Sequence, residues 1–266
     1  MNYVDIASGI FSLHGKQRSL LFARLSRIAY LELNEATVSA KKLGFTSVKI
    51  YDNGGAQAYR FLNKHDIVIA CRGTEPTQFN DISADLKALP VKSESVGRVH
   101  KGFKDEVDEL WPMVQDDIRS IKTRKLWFCG HSLGAGMATI MASRCLYLEE
   151  LADPEELYTF GSPRVGWSKY VNYLGVKHQR WVNNNDIVTR VPFAIMGYKH
   201  DGNEHYLNAE GILRVPTAWQ RCKDRCRGMW SGIKQRKIDS FSDHSIDEYI
   251  KHIKSHIEKE RVTPSS

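Results

Sequence analysis

The chain has 266 residues, of which 42% are hydrophobic and 26% charged, with a formal net charge of +7. This length and hydrophobic content are enough for one sizeable core, so we expect a single domain over residues 1–266. No apolar run approaches the roughly 20 residues of a transmembrane helix, and polar residues interrupt every apolar stretch near the N-terminus, which argues against a conventional signal peptide.

The positive charge is concentrated in one segment. Residues 217–237 contain seven basic residues and one acidic residue, whereas the rest of the chain is nearly neutral. This distribution argues against a nucleic-acid-binding protein, in which basic residues cover a recognisable fold. Apolar residues recur every three or four positions between these cations, a pattern typical of a helix on an anionic membrane surface. A solvated helix packed beside the domain produces the same pattern.

The cysteines indicate a redox compartment. The chain has five cysteines, three of which lie in apolar runs. An odd number of dispersed cysteines favours reduced core residues of an intracellular protein over a disulfide framework, so the cytoplasm is the expected location. A nonclassical export route leaves no signal in the sequence.

Helix and strand patterns alternate along the chain. Helical periodicity covers residues 16–43, and a turn at residues 52–55 between two short strands predicts a hairpin. Strands and helices then follow at residues 66–71 (strand), 105–121 (helix), 126–129 (strand), 133–148 (helix), 157–160 (strand) and 180–183 (strand). This alternation predicts an α/β fold with a mostly parallel sheet and helices on both faces.

The most informative motif lies where a predicted strand runs directly into a helix. Residues 130–134, Gly-His-Ser-Leu-Gly, place Ser132 at the apex of that turn. The apex of so tight a turn is strained, and only glycines two positions on either side leave room for it. The helix that begins there also directs backbone N–H groups towards any negative charge beside the hydroxyl. The pattern is typical of a nucleophilic serine.

A nucleophilic serine needs a histidine to accept its proton and a carboxylate to orient that histidine. Asp186 is the best acid because it follows the strand at residues 180–183, and α/β sites assemble at the carboxyl ends of strands. Asp153 and Asp201 follow no predicted strand. His244 lies in a loop just before the final helix, a place from which its imidazole can reach the edge of the sheet.

Four other histidines follow Asp186. His200 and His205 bracket an acidic loop, but one residue too many separates them for a known zinc motif, so no metal site is expected. His252 and His256 lie on the polar side of the final helix and are predicted to be solvated.

Six motifs in order extend the pattern beyond the pentapeptide. They are RGT at residues 72–74, VHKGF at 99–103, GHSLGAG at 130–136, YTFGSPRVG at 158–166, NDIV at 185–188 and DH at 243–244. On these motifs the chain resembles the class 3 lipase family, the α/β-hydrolases typified by fungal triacylglycerol lipases.

The resemblance implies a serine carboxylic-ester hydrolase acting on acylglycerols or phospholipids. In this scheme Ser132 is the nucleophile, Asp186 the orienting acid and His244 the base. The resemblance also implies an oxyanion hole formed by Thr74, through its backbone N–H and hydroxyl, and by the backbone N–H of Leu133. We expect no cofactor, no metal and no obligate protein partner.

Two other functions remain open on the sequence alone. The first alternative is a small-ester, feruloyl-type or thioester hydrolase. It stays open because the serine turn determines the type of reaction and not the acyl group. The second alternative is a non-enzymatic lipase-like binding module. The intact set of Ser132, Asp186, His244 and Thr74 argues against it. Residues 76–89 are amphipathic and correspond to the lid of fungal members, but Ile82 replaces the lid tryptophan. A mobile lid and a packed surface helix both fit that segment.

Overall fold

The computed structural model describes residues 4–73, 89–121, 123–184, 186–208, 210–214 and 243–262. Its strands are β1 Ser47–Asn53, β2 Ala56–Leu62, β3 Asp66–Cys71, β4 Pro90–Lys92, β5 Arg98–His100, β6 Lys125–His131, β7 Pro154–Phe160, β8 Gly166–Trp167, β9 His178–Asn183, β10 Tyr198–Lys199, β11 Asn203–Leu207 and β12 Leu213–Arg214. Its helices are α1 Gly15–Ile28, α2 Leu33–Lys42, α3 Lys101–Ser120, α4 Leu133–Tyr147, α5 Ser168–Asn172 and α6 Ile246–Val262.

The main sheet has eight strands in the order β1-β2-β3-β6-β7-β9-β11-β12. The five strands from β3 to β11 in this order pair in parallel, whereas β1, β2 and β12 join in antiparallel pairs. The predicted hairpin is confirmed, with β1 and β2 in register from Ser47 opposite Leu62 to Asn53 opposite Ala56. The predicted α/β fold with a mostly parallel sheet is therefore confirmed, and the carboxyl ends of the parallel strands share one edge.

Helices cover both faces of this sheet, and β6 shows how the core divides. Trp127 and Cys129 lie in a cluster with residues of α1 and α6, whereas Leu126 and Phe128 lie in a second cluster with residues of α3 and α4. Successive side chains of a strand point to opposite faces, so one short apolar run contributes to both halves of the core. Within the part of the chain that the structure describes, Cys129, Cys71 and Cys145 are buried free thiols, as predicted for these core cysteines.

The single helix predicted over residues 16–43 is wrong, because α1 ends at Ile28 and α2 begins at Leu33. The break allows Tyr59 Oη to donate to the Leu31 carbonyl at 2.6 Å, and it brings Tyr30 Oη within 2.9 Å of His131 Nδ1. The Tyr59 hydroxyl thereby satisfies a backbone carbonyl that a continuous helix would bond within itself, and the Tyr30 side chain contacts β6. Helical periodicity alone cannot register such contacts, since their partners lie far along the chain.

A second, four-stranded antiparallel sheet, with the order β10-β8-β5-β4, was not predicted. Its strands have two or three residues each, too few for a periodic pattern. The helix predicted from residue 105 begins earlier, at Lys101, directly after β5. Among the described helices, none is both long and apolar enough to cross a membrane.

His100 links the small sheet to α3. Its side chain is 2% exposed, neither ring nitrogen has a hydrogen-bond partner among the described residues, and the ring stacks on Phe103 with centroids 4.3 Å apart. Burial lowers the pKa of His100 to about 4. The imidazole is therefore neutral at pH 7 and packs as an apolar ring.

We predict that His100→Phe reduces the acid sensitivity of folding. An unfolded histidine binds a proton at about pH 6.5, whereas folded His100 resists protonation, so its contribution to stability is lost as the pH falls from about 6.5 towards 4. Urea unfolding at pH 7 should give similar stabilities for the variant and the wild type. At pH 4 the variant should have lost about 3 kcal/mol less than the wild type. Equal acid losses in the two proteins would contradict this account.

Candidate active site

Ser132 lies at the junction of β6 and α4 in a strained backbone conformation with a positive φ. Its φ is 58° and its ψ −133°, and it is the one non-glycine residue with a positive φ among the described residues. Glycine surrounds it for a steric reason. A Cβ at Gly130 would lie 2.3 Å from the Gly134 carbonyl oxygen, and a Cβ at Gly134 would lie 2.3 Å from the Cys71 carbonyl oxygen. The predicted strand-to-helix turn is therefore present, and it packs directly on the end of β3.

Three predicted residues come together at this turn. His244 Nε2 lies 2.8 Å from Ser132 Oγ, and His244 Nδ1 lies 2.9 Å from each carboxylate oxygen of Asp186. All three side chains are buried, and Asp186 is fully so. Because an ionised carboxylate only accepts hydrogen bonds, Nδ1–H donates to Asp186, and Nε2 accepts from the serine hydroxyl.

Asp186 receives two further hydrogen bonds in this buried place. The backbone N–H of Val188 donates to Oδ1 at 2.9 Å, and Tyr249 Oη donates to Oδ2 at 2.7 Å. Burial and then the charge of Asp186 raise the pKa of Tyr249 well above its usual value, so its phenol remains a donor. A buried carboxylate is costly without such donors. Tyr249 was not predicted from the sequence, although it lies only five residues after His244.

The end of β9 also holds the loop that carries the histidine. The side-chain amide of Asn183 donates to the Asp243 carbonyl at 3.0 Å, and the backbone N–H of Asn183 donates to Tyr249 Oη at 2.9 Å. The Asp186 N–H donates to the Asn183 carbonyl at 2.9 Å, which turns the chain back at the strand end. One strand end therefore positions both the carboxylate and the loop of the imidazole.

The two predicted oxyanion-hole residues differ in what the structure describes. Leu133 directly follows Ser132 and is the first residue of α4, whose first N–H groups have no acceptor within the helix. Thr74 lies outside the described residues, as do most of residues 76–89 and all of 217–237. Gly73, just before Thr74, lies against the serine turn, because a Cβ there would be 2.6 Å from the His131 carbonyl oxygen and 3.1 Å from Ser132 Cβ.

The weaker candidates have other contacts. Asp201 accepts from His178 Nδ1 at 3.1 Å, and His200 Nε2 lies 2.7 Å from the Thr189 carbonyl. Asp153 is exposed. Across the described ranges, no three metal-ligating side chains are grouped in a way that could hold an ion.

The prediction that His252 and His256 are solvated is wrong. Both are partly buried, and His256 Nε2 lies 3.0 Å from the Leu213 backbone nitrogen. A virtual Cβ at Gly211 would collide with the His252 ring, so the loop before β12 lies on this face of α6. The lysines around these histidines suggested an open surface that this loop covers.

Residues 68–196, which include Ser132 and Asp186, match the sequence profile of the family described as Lipase (class 3). The lipase of Rhizomucor miehei is 34% identical to this chain over 197 residues, which cover 69% of this chain and 53% of the relative. This chain belongs to the class 3 lipase family. The secreted mono- and diacylglycerol lipase 1 of Fusarium solani is also similar, with 34% identity over 118 residues that cover 41% of this chain and 34% of the relative.

The solved structure of Rhizomucor miehei triacylglyceride lipase has the same fold. It superposes with a TM-score of 0.62 at 26% identity, covering 74% of this chain and 82% of the other. The fold of this class 3 lipase is thus the predicted α/β-hydrolase fold. The chain spans about half the length, or less, of the curated relatives it matches.

Gly161, which follows β7, is a site residue that was not predicted from the sequence. Its φ is 60°, and a Cβ there would lie 2.6 Å from Asp186 Oδ2 and 2.9 Å from His244 Nδ1. A side chain of any size at this position would therefore displace the hydrogen bond between the carboxylate and the imidazole.

We predict that Gly161→Ala lowers kcat for ester hydrolysis about 100-fold, the cost expected when a catalytic group moves by about 1 Å. The matched control is Gly55→Ala, because Gly55 also has a positive φ, of 90°, but a Cβ there would have no atom of another described residue beyond its chain neighbours within 4 Å. Both variants carry the backbone strain, and only the first disturbs the imidazole. Similar kcat values for the two variants would refute the steric explanation.

Proposed function

We propose that this class 3 lipase hydrolyses acyl esters of glycerolipids, as a lipase or phospholipase, with Ser132 as nucleophile, His244 as base and Asp186 as orienting acid. The observation that carries the proposal is the unbroken hydrogen-bonded chain from Ser132 Oγ through the His244 ring to a fully buried Asp186. These hydrogen bonds activate a serine hydroxyl as a nucleophile, which a protein that only binds lipid does not need.

Acylation begins when Ser132 Oγ attacks the acyl carbonyl carbon while His244 Nε2 takes the hydroxyl proton. The carbonyl oxygen becomes an oxyanion, which the N–H of Leu133 and the N–H and hydroxyl of Thr74 stabilise in this proposal. Asp186 stabilises the imidazolium that forms. Nε2 then returns the proton to the alcohol oxygen of the glycerol, the carbon–oxygen bond breaks, and an acyl-Ser132 ester remains.

Deacylation repeats these steps with water. His244 Nε2 removes a proton from the water, whose oxygen attacks the acyl carbon, and the proton then passes to Ser132 Oγ as the fatty acid leaves. Side chains and backbone groups supply the nucleophile, the base and the oxyanion donors, so the proposed reaction requires no cofactor or metal.

The loop that follows Asp186 supports an apolar acyl substrate. Four of its apolar side chains are exposed, namely Ile187, Phe193, Ile195 and Met196, and Ile195 is 95% exposed. Arg164 holds the loop, since its N–H donates to the Val191 carbonyl at 2.8 Å and its guanidinium donates to the Pro192 carbonyl at 2.9 Å. A fixed loop with exposed apolar side chains favours lipid esters over small polar esters.

We also propose an intracellular location with peripheral contact to anionic membranes through residues 217–237. The buried free thiols of Cys71, Cys129 and Cys145 support a reducing compartment. The seven basic residues of the segment, with apolar residues between them, support attraction to an anionic lipid surface.

We predict that Ser132→Ala lowers kcat by about 10⁶-fold on every hydrolysed substrate. The panel contains aryl esters of increasing chain length, a feruloyl ester, a thioester, a phospholipid and a triacylglycerol. The matched control is Ser19→Ala, because Ser19 is also a buried serine but donates to the Gly15 carbonyl within α1. A fluorophosphonate should label the wild type and the control but not Ser132→Ala.

Activity that survives Ser132→Ala would refute the mechanism. Efficient cleavage of only the short, feruloyl or thioester substrates would refute the glycerolipid assignment. A folded wild type that is not labelled would instead indicate a binding module.

We predict that the double change Phe193→Ser and Ile195→Ser lowers the ratio of long-chain to short-chain ester hydrolysis by about tenfold or more, since each apolar side chain that contacts lipid contributes about 1.5 kcal/mol. Val38→Ser is the matched control, because Val38 is 55% exposed on α2. A ratio equal to that of the control would show that this loop does not contact the acyl chain.

A further inference from the structure

His131 precedes Ser132 and uses both of its ring nitrogens inside the protein. Nε2 lies 2.6 Å from the backbone carbonyl oxygen of His244, and Nδ1 lies 2.9 Å from Tyr30 Oη. The side chain is buried, and its ring centroid lies 4.5 Å from that of His244. The proposed reaction uses the imidazole of His244 and leaves the imidazole of His131 without a role.

These contacts fix the protonation of the ring. A carbonyl oxygen only accepts hydrogen bonds, so Nε2 of His131 must carry a proton and donate it. Burial, followed by the proximity of His244, lowers the pKa of His131 well below its usual value, so the ring is neutral. Nδ1 of this neutral tautomer is an acceptor and receives the Tyr30 hydroxyl proton. The proton order therefore runs from Tyr30 O–H through the His131 ring to the His244 carbonyl.

This hydrogen-bonded chain joins three separate segments of the site. His131 belongs to the serine turn, its Nε2–H contacts the loop of the base, and Tyr30 lies against the chain that leads to Thr74. A Cβ on Gly73 would lie 2.5 Å from Tyr30 Oη, and the Arg72 guanidinium lies 5.8 Å from the centroid of the Tyr30 ring. One imidazole is thus connected to the nucleophile, the base and the strand end of the expected oxyanion hole.

We propose that His131 is a positioning residue, which holds the main chain of His244 through its Nε2–H while Tyr30 holds His131 in that tautomer. This role rests on the proposed function of Ser132, Asp186 and His244. The imidazole of His244 gains and loses a proton in each half-reaction and must keep its distances to both neighbours. A neutral ring beside it anchors its backbone without repelling the imidazolium, whereas a charged ring there would oppose its formation.

The test compares His131→Ala, His131→Gln and Tyr30→Phe with the wild type. The alanine variant lacks the donor, so kcat should fall about 100-fold with little change in KM, because the base moves while the substrate surface stays. The glutamine variant keeps an N–H donor where Nε2–H lies, so its kcat should be about tenfold higher than that of the alanine variant. Tyr30→Phe removes the donor to Nδ1 and should lower kcat less than the alanine variant does.

Trp127→Phe is the control for a general loss of stability. Trp127 lies on the same strand, is buried, and donates from Nε1 to Asp66 Oδ1 at 2.9 Å. The indole hydrogen bond of Trp127 involves no residue of the serine turn, so the kcat of Trp127→Phe should remain close to the wild-type value. This should hold even if its melting temperature falls as far as that of the His131 variants.

A second measurement does not depend on hydrolysis. Long-range ¹H–¹⁵N correlation spectra of the wild type at pH 7 should show His131 as the neutral Nε2–H tautomer, and Tyr30→Phe should weaken that preference. A protonated His131 or the Nδ1–H tautomer would overturn the proposal, and so would wild-type kcat in folded His131→Ala while Ser132→Ala is inactive. If His131→Ala does not fold, the proposal is tested by the kcat values of His131→Gln and Tyr30→Phe. Values equal to the kcat of Trp127→Phe would overturn it. A wild type that hydrolyses no ester would refute the proposed function. The tautomer measurement would still test, without hydrolysis, whether His131 Nε2–H donates to the His244 carbonyl.

Discussion

Ser132 keeps its positive φ because β6 passes into α4 without a connecting loop, so one residue must reverse the direction of the chain. A non-glycine residue in such a conformation costs about 1–3 kcal/mol, and it persists only where the surrounding structure determines it fully. Here the Ser132 N–H donates to the Phe160 carbonyl at 3.0 Å, and the Ser132 carbonyl accepts from Ala135 at 3.0 Å. All residues of α4 from Leu133 to Cys145 are buried. The packing of this helix therefore stabilises the strained turn that places the Ser132 hydroxyl beside the His244 imidazole.

A second constraint is the buried charge of Asp186. Its oxygens accept hydrogen bonds from the imidazole of His244, the backbone of Val188 and the phenol of Tyr249, which belong to three different segments. Because the donors offset the cost of removing a carboxylate from water, the docking of α6 and the closing of the site are coupled. That docking depends on α1, against which α6 packs, with Arg27 Nε and Asp247 Oδ1 2.6 Å apart. The orientation of the His244 imidazole therefore depends on a helix far from Ser132 in sequence.

Local patterns predicted the parts of this arrangement that short segments determine. Strand β3 has the predicted bounds, and the turn at Ser132 has the predicted form, because glycines and apolar runs act within a few residues. The break between α1 and α2 and the positions of Tyr30, Gly161 and Tyr249 were not predicted. Each depends on a contact with a distant segment, which leaves no periodic signal. The six ordered motifs carried the family resemblance because they combine such distant positions.

The contacts of the site also span unusually long stretches of chain. The hydrogen bond between Tyr30 and His131 joins residues 101 positions apart, and that between Ser132 and His244 joins residues 112 positions apart. Long-range contacts form late in folding, because the entropy of closing long loops must be overcome first. A nascent chain on the ribosome therefore cannot bring Ser132, Asp186 and His244 together until the segment just before α6 has been synthesised. Assembly of this hydrogen-bonded set of residues and completion of the described fold therefore occur together.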